Sequence, residues 1–187
     1  MIKPIVFLDR DGVINVDSAD YIKTPSEFNF ILNSPKAIAL LCQHGFEVIV
    51  ITNQSLIGRQ MVTQETLDAI FQKMKQGIIE AGGRIKDIFF CPHIPGAGCD
   101  CRKPEPGLIQ QACATYKIDL SISVMVGDSA KDIETAVTAG VGKTILVQTG
   151  NGKTALGQLA QKRIAPDHVA PDLYAAAQWI IKQPFKP

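Results

Sequence analysis

Short apolar runs alternate along this chain with longer segments whose apolar residues recur every three or four positions. Ile5–Leu8, residues 46–51, 85–90 and 122–126, and Lys143–Val147 are of the first kind. A continuous β-branched run of that length is how a strand buried on both faces of a parallel sheet reads. The intervening segments carry helix signals. Asn33-Ser34 is a cap, with Pro35 in the first turn and Gly45 as a stop. Thr63 caps a helix whose Leu67, Ile70, Phe71, Met74 and Ile78 share one face, and Gly82-Gly83 end it. Pro106 starts a helix running to about Tyr116, and Ser129 caps another that stops near Gly140. Helices over 155–163 and 171–181 close the chain around a short strand at 167–169. Strands and helices in alternation, each link short, predict an α/β fold: Rossmann-like and doubly wound, with a mostly parallel sheet and helices on both faces.

Composition narrows this only slightly. At 187 residues and 46% hydrophobic the chain suits one domain spanning 1–187 with a core of its own. A net charge of +1 gives no global field toward nucleic acid or an anionic membrane, and neither is expected as a partner. No apolar run approaches the roughly 18 residues of a membrane span, and the N-terminal run is too short for a signal segment. A cytoplasmic monomer with reduced thiols is expected. Three of the five cysteines, Cys91, Cys99 and Cys101, crowd into residues 91–101.

In open parallel sheets ligands sit beyond the carboxyl ends of the strands, so the residues that end strands are the ones to read. Here they are Asp9, Thr52, Cys91 and Asp128. Asp9-Arg-Asp11-Gly12, Ile51-Thr52-Asn53, Arg102-Lys103-Pro104 and Gly127-Asp128-Ser-Ala-Lys-Asp132 stand in that order. A carboxylate such as Asp9 can take a phosphoryl group covalently and split one hard hydrolysis into two steps. Lys103 and a divalent cation would neutralise the phosphoryl oxygens, with the Thr52 hydroxyl donating to them. Oxygen donors of this kind suit Mg2+.

Together the four motifs resemble the haloacid dehalogenase superfamily of phosphohydrolases over residues 5 to about 150. The resemblance implies Mg2+ held by Asp9, the carbonyl of Asp11 and Asp128. Asp11 would protonate the leaving oxygen and then deprotonate water. Crowding by other carboxylates is expected to raise its pKa. Asp132, one helical turn after Asp128, is expected to hold Lys103 or the cation's waters. Many members carry a cap domain after the first motif or between the second and third. Those intervals are about 40 and 50 residues here and are filled by the elements already assigned, so no cap domain is expected.

Cys91-Pro-His93 and Cys99-Asp-Cys101 bring three sulfurs and an imidazole together, a donor set that suits structural Zn2+ in a closed tetrahedral site. The loop ends one residue before Arg102-Lys103, so zinc would fix both cations at the phosphate pocket. This loop, with Leu8-Asp-Arg-Asp-Gly-Val-Ile-Asn15 and Thr52-Asn-Gln-Ser55, resembles the D-glycero-D-manno-heptose 1,7-bisphosphate 7-phosphatases, which serve nucleotide-activated heptose synthesis for lipopolysaccharide core. Histidinol-phosphate phosphatases share the loop and are the alternative. By the resemblance Asp9 is the nucleophile, Asp11 the proton donor, and Thr52 and Lys103 stabilise the phosphoryl group. Asp17, Tyr21, Asn53, Gln54, Ser55 and Arg102 would meet a small sugar phosphate. Two departures stand out: the span between His93 and Cys99 is short, and Ser129 occupies a position where Lys is frequent. A receiver-type phosphoacceptor domain uses similar residues in another order, and a zinc-stabilised interaction domain without activity would have no need of Asp9, Asp11 and Lys103.

Overall fold

β1 (Ile5–Leu8), buried at every position, runs through the middle of a six-stranded sheet in the computed structural model, which describes residues 2–184. β2 (Glu47–Asn53) and β3 (Asp87–Cys91) lie on one side of it. β4 (Val124–Gly127), β5 (Lys143–Val147) and β6 (His168–Ala170) lie on the other, giving the order β3-β2-β1-β4-β5-β6. Every pairing is parallel. Leu8 pairs with Val50 on one side and Val126 on the other, so the carboxyl ends of β1, β2 and β4 point to one edge of the sheet. The chain winds outward in opposite directions from β1, and the crevice at that switch point is where such sheets bind ligands.

Alternate residues of each strand face opposite layers. Val6, Leu8, Val48, Val50, Val124 and Val126 pack beneath α1 (Ser34–Gln43), α2 (Gln64–Glu80) and α6 (Leu173–Ile180). Ile5, Phe7, Ile49, Ile51 and Met125 pack against α3 (Gly107–Thr115) and α4 (Ala130–Ala139). A smaller cluster joins Ile133 of α4 and Leu146 to α5 (Gly152–Gln161). Each fully buried Leu, Ile or Phe removes enough apolar surface to contribute roughly 1.5–3 kcal/mol.

The differences from the sequence reading are local. β4 begins at Val124, because Leu120–Ile122 winds into a 3-10 turn in which the Asp119 carboxylate accepts the Ser121 N–H at 3.0 Å. A second 3-10 turn, Pro25–Glu27, lies between β1 and α1, and α5 starts at Gly152, ahead of the expected 155. Among the described residues, only that turn and α1 lie between β1 and β2, and no further layer covers the strand ends.

Candidate active site

Lys103, 3% exposed, is the hub of the carboxyl edge. Its Nζ lies 2.8 Å from Asp9 Oδ1 and 2.6 Å from Asp132 Oδ1, and it donates to the Ile51 carbonyl at 3.0 Å. The ammonium therefore makes two ion pairs and one hydrogen bond. Burial alone would lower its pKa, but Asp132 and Asp9 together raise it well above the ordinary lysine value. The loop that carries it is held by Asn53, whose Oδ1 accepts the Lys103 N–H at 3.1 Å and whose Nδ2 donates to the Lys103 carbonyl at 3.2 Å. Asp132 is fully buried, and its second oxygen accepts from the Ser129 backbone N–H and hydroxyl, capping α4.

Asp9, Asp128 and Asp132 bring carboxylate oxygens within 4.8 Å of one another. Three carboxylates against the single Lys103 ammonium leave two negative charges uncompensated, which is the charge of one divalent cation. The strain is visible in the pKa values. Burial, then Asp132, push Asp128 to about 6, and burial drives Asp9 up as well, against the pull of Lys103. Hard oxygen donors in that number fit Mg2+. With both oxygens of Asp132 already engaged, Asp9 and Asp128 are the side chains left to hold it.

Asp11 departs from expectation. Its carboxylate accepts from Arg10 Nε at 3.1 Å and Nη2 at 2.7 Å, from Asn15 Nδ2 at 2.9 Å and from Gln54 Nε2 at 2.9 Å. Burial pushes this carboxyl up, but Arg10 and the neutral donors outweigh burial and hold it below the usual carboxylate range, not above. The physical reason is that Arg10 turns inward, 1% exposed and with its guanidinium 5.8 Å from the Phe71 ring centroid, so a cation and not a carboxylate faces Asp11. Gln54 also differs. It is buried beneath the site and donates to Thr52 Oγ1 at 2.9 Å as well as to Asp11, and does not reach the main cavity wall. Accepting from Gln54 leaves the Thr52 hydroxyl proton free for a phosphoryl oxygen.

A cavity of about 520 Å3 opens over these groups. Asp17, Tyr21, Asn53, Ser55 and Arg102 line it, together with Arg59, Lys131, Asn151, Thr154 and Gln158, which the motifs did not single out. The guanidinium of Arg59 lies 5.9 Å from the Tyr21 ring centroid. Lys131, two residues after Ser129, supplies a cation to the cavity wall. A polar helix N-terminus is poor evidence for a ligand in sequence alone, and only the fold brings α4 and α5 to the same rim.

Cys91, His93, Cys99 and Cys101 form the other cluster. Cys91 Sγ lies 3.2 Å from Cys101 Sγ, 3.7 Å from Cys99 Sγ and 3.5 Å from His93 Nδ1. Donors about 2.3 Å from a tetrahedral zinc stand about 3.7 Å apart, so the four groups fit that ion. Burial and the neighbouring thiols push Cys101 to about 12, a crowding that a bound cation reverses. Arg102 Nη1 donates to the His93 carbonyl at 2.9 Å, tying the cavity wall to this loop. Protein purified without added metal should carry about one zinc per chain, and stripping it should cost turnover even with Mg2+ restored. Elemental analysis finding no zinc would refute the assignment.

A HAD-hydrolase-like family model matches residues 100–176. The chain is 45% identical over 158 residues to the D-glycero-beta-D-manno-heptose-1,7-bisphosphate 7-phosphatase of Pseudomonas aeruginosa, covering 84% of this chain and 88% of that protein. It is 40% identical over 179 residues to the Bordetella bronchiseptica enzyme of the same name, covering 96% and 98%. The crystal structure of D,D-heptose 1,7-bisphosphate phosphatase from B. bronchiseptica, complexed with magnesium and phosphate, superposes with a TM-score of 0.89 over 96% of this chain and 98% of that one.

Proposed function

The chain belongs to the D-glycero-D-manno-heptose-1,7-bisphosphate 7-phosphatase family of HAD-like hydrolases, and on that premise we propose that it removes the 7-phosphate of this bisphosphate in Mg2+-dependent fashion. The observation that carries the reading is the meeting of Asp9, Lys103 and Asp128 at adjoining strand ends, beside the loop of Cys91, His93, Cys99 and Cys101. The reading includes a single capless domain over 1–187, a monomer in the cytoplasm, and a place in nucleotide-activated heptose synthesis for lipopolysaccharide core. Among the described residues no helix is long and apolar enough to cross a membrane.

In the reaction Asp9 attacks phosphorus and the sugar oxygen leaves, forming an aspartyl-phosphate that water then hydrolyses. Lys103 and the Thr52 hydroxyl meet the phosphoryl oxygens, where charge is spread in the transition state. A bound Mg2+ would supply the remaining positive charge and keep Asp9 ionised. The resting Asp11, clamped ionised by Arg10, is in the form that accepts a proton from water. To protonate the leaving oxygen it must first turn from Arg10 and gain a proton. Asp17, Tyr21, Ser55 and Arg102 line the sugar side, and Arg59 and Lys131 add cations for the phosphate that does not react. Asn53 and Gln54 act on Lys103, Thr52 and Asp11 and thereby on the substrate only indirectly.

Phosphate release from heptose 1,7-bisphosphate and from histidinol phosphate, compared with Mg2+ present, tests the reading. We expect kcat/KM about a hundredfold or more higher on the bisphosphate, equivalent to about 2.7 kcal/mol of transition-state discrimination. Preference for histidinol phosphate would move the protein to that substrate with the same chemistry, and inertness toward both would remove the activity.

A further inference from the structure

Among the described residues, the hydrogen bonds to the Asp128 carboxylate all fall on one oxygen. Its Oδ2 accepts the Asn151 backbone N–H at 2.7 Å and the Asn151 Nδ2 at 3.2 Å. The same oxygen is pressed by bare backbone from two sides. A Cβ at Gly12 would stand 2.2 Å from it, and one at Gly150 would stand 2.1 Å from it. Both glycines have positive φ, 79° and 54°, so neither position is open to a larger residue. Thr149 Oγ1 donates to the Gly12 carbonyl at 2.6 Å and joins the two segments. Oδ1 is left without a protein donor.

We propose that the segment Thr149-Gly150-Asn151, following β5, is a positioning element for the divalent cation. It fixes the rotation of the Asp128 carboxylate so that Oδ1 stays available to the metal, with Asn151 as the positioning residue. This rests on the Mg2+-dependent reading above. The segment lies outside the four motifs, and β5 brings it to the site because its parallel partner β4 ends at Gly127, immediately before Asp128. The Asn151 carboxamide is not a helix cap, for it makes no capping bond to α5. It is spent on Asp128 and, at 3.4 Å, on Asp17 Oδ2, so one side chain touches both the cation's ligand and the sugar-side wall. Groups that orient a metal ligand in this way commonly contribute about 10–100-fold to metal affinity, because a carboxylate that is free to rotate must be ordered by the metal itself.

Asn151→Ala removes the carboxamide and keeps the backbone donor, at an exposed position where folding should be unaffected. Calorimetric titration of Mg2+ into the zinc-loaded protein, without substrate, should show the dissociation constant raised about tenfold. The Mg2+ concentration for half-maximal turnover should move by a similar factor, while the melting temperature and zinc content stay those of the wild type. Gly150→Ala, which places a methyl on Oδ2, should weaken binding further. If Gly150→Ala fails to fold, Asn151→Ala decides alone. An Asn151→Ala dissociation constant within twofold of wild type overturns the proposal. Wild-type protein that binds no Mg2+ overturns the underlying cation reading along with it, and is told apart by that first titration.

Discussion

Asp9→Asn should lower turnover by about a thousandfold or more and leave the protein as stable as before, or more so. The carboxamide keeps the shape of the carboxylate but cannot form an aspartyl-phosphate. The stability part follows from the sign of the pKa shift. Burial, with Asp132 and Asp128 nearby, raises the Asp9 carboxyl well above its ordinary value, so the folded state favours the protonated form. A carboxyl shifted upward makes its ionised form a liability above its folded pKa, and that liability vanishes below the unfolded one. At neutral pH without Mg2+, a neutral Asn removes it. Lys103 keeps Asp132 as its partner at 2.6 Å. Phosphate release together with thermal melts in Mg2+-free buffer would check both halves, and hydrolysis at the wild-type rate would remove Asp9 as the nucleophile.

Lys103→Met should cost both activity and stability. The substitution strips from Asp9 and Asp132 the one cation paired with them among the described residues, and leaves the Ile51 carbonyl without the Lys103 donor. Breaking a buried pair by deleting one partner typically costs about 3–5 kcal/mol. In a chain of this size that is a fall in melting temperature of roughly 10 °C. The pH window is also set: a lysine whose folded pKa lies above its unfolded value stabilises at all pH below the unfolded value and loses that contribution only in strong alkali. The deficit should therefore persist across the neutral range. Adding Asp132→Asn to Lys103→Met should recover part of it, since the second change removes a carboxylate the first left uncompensated. A Lys103→Met protein melting with the wild type would contradict the role of Lys103 as the hub of the buried charges.

The strands and most helices were legible because their signals are local. The run Lys143–Val147 is a strand over those same residues, and Ser129 and Gly140 bracket α4. Where the reading slipped, a side chain competed with the strand: the Asp119 carboxylate drew Leu120–Ile122 into a turn before β4. The motifs likewise named Asp9 and Asp128, since a residue that ends a parallel strand is delivered to the common edge whatever follows it, and Lys103, which reaches that edge from the loop between β3 and α3. They did not reveal that Gln54 turns inward to bridge Thr52 and Asp11, because nothing in Thr52-Asn-Gln-Ser55 says which of its polar side chains faces the cavity.

By itself, then, the order of apolar runs, caps and strand-ending acids determined the doubly wound sheet, the edge at which chemistry occurs and the cysteine loop. Only the tertiary structure decided which buried charge faces which. Arg10 turns against Phe71 and holds Asp11 ionised, Lys103 is shared between Asp9 and Asp132, and Asn151 reaches Asp128 from the segment after the neighbouring strand β5. The ionisation of a buried group is set by desolvation and by the nearest charge in space. Lys103, Asp9 and Asp132 come from segments far apart in the chain, and even for Arg10 and Asp11, adjacent in sequence, the packing of the guanidinium decides that the two face each other.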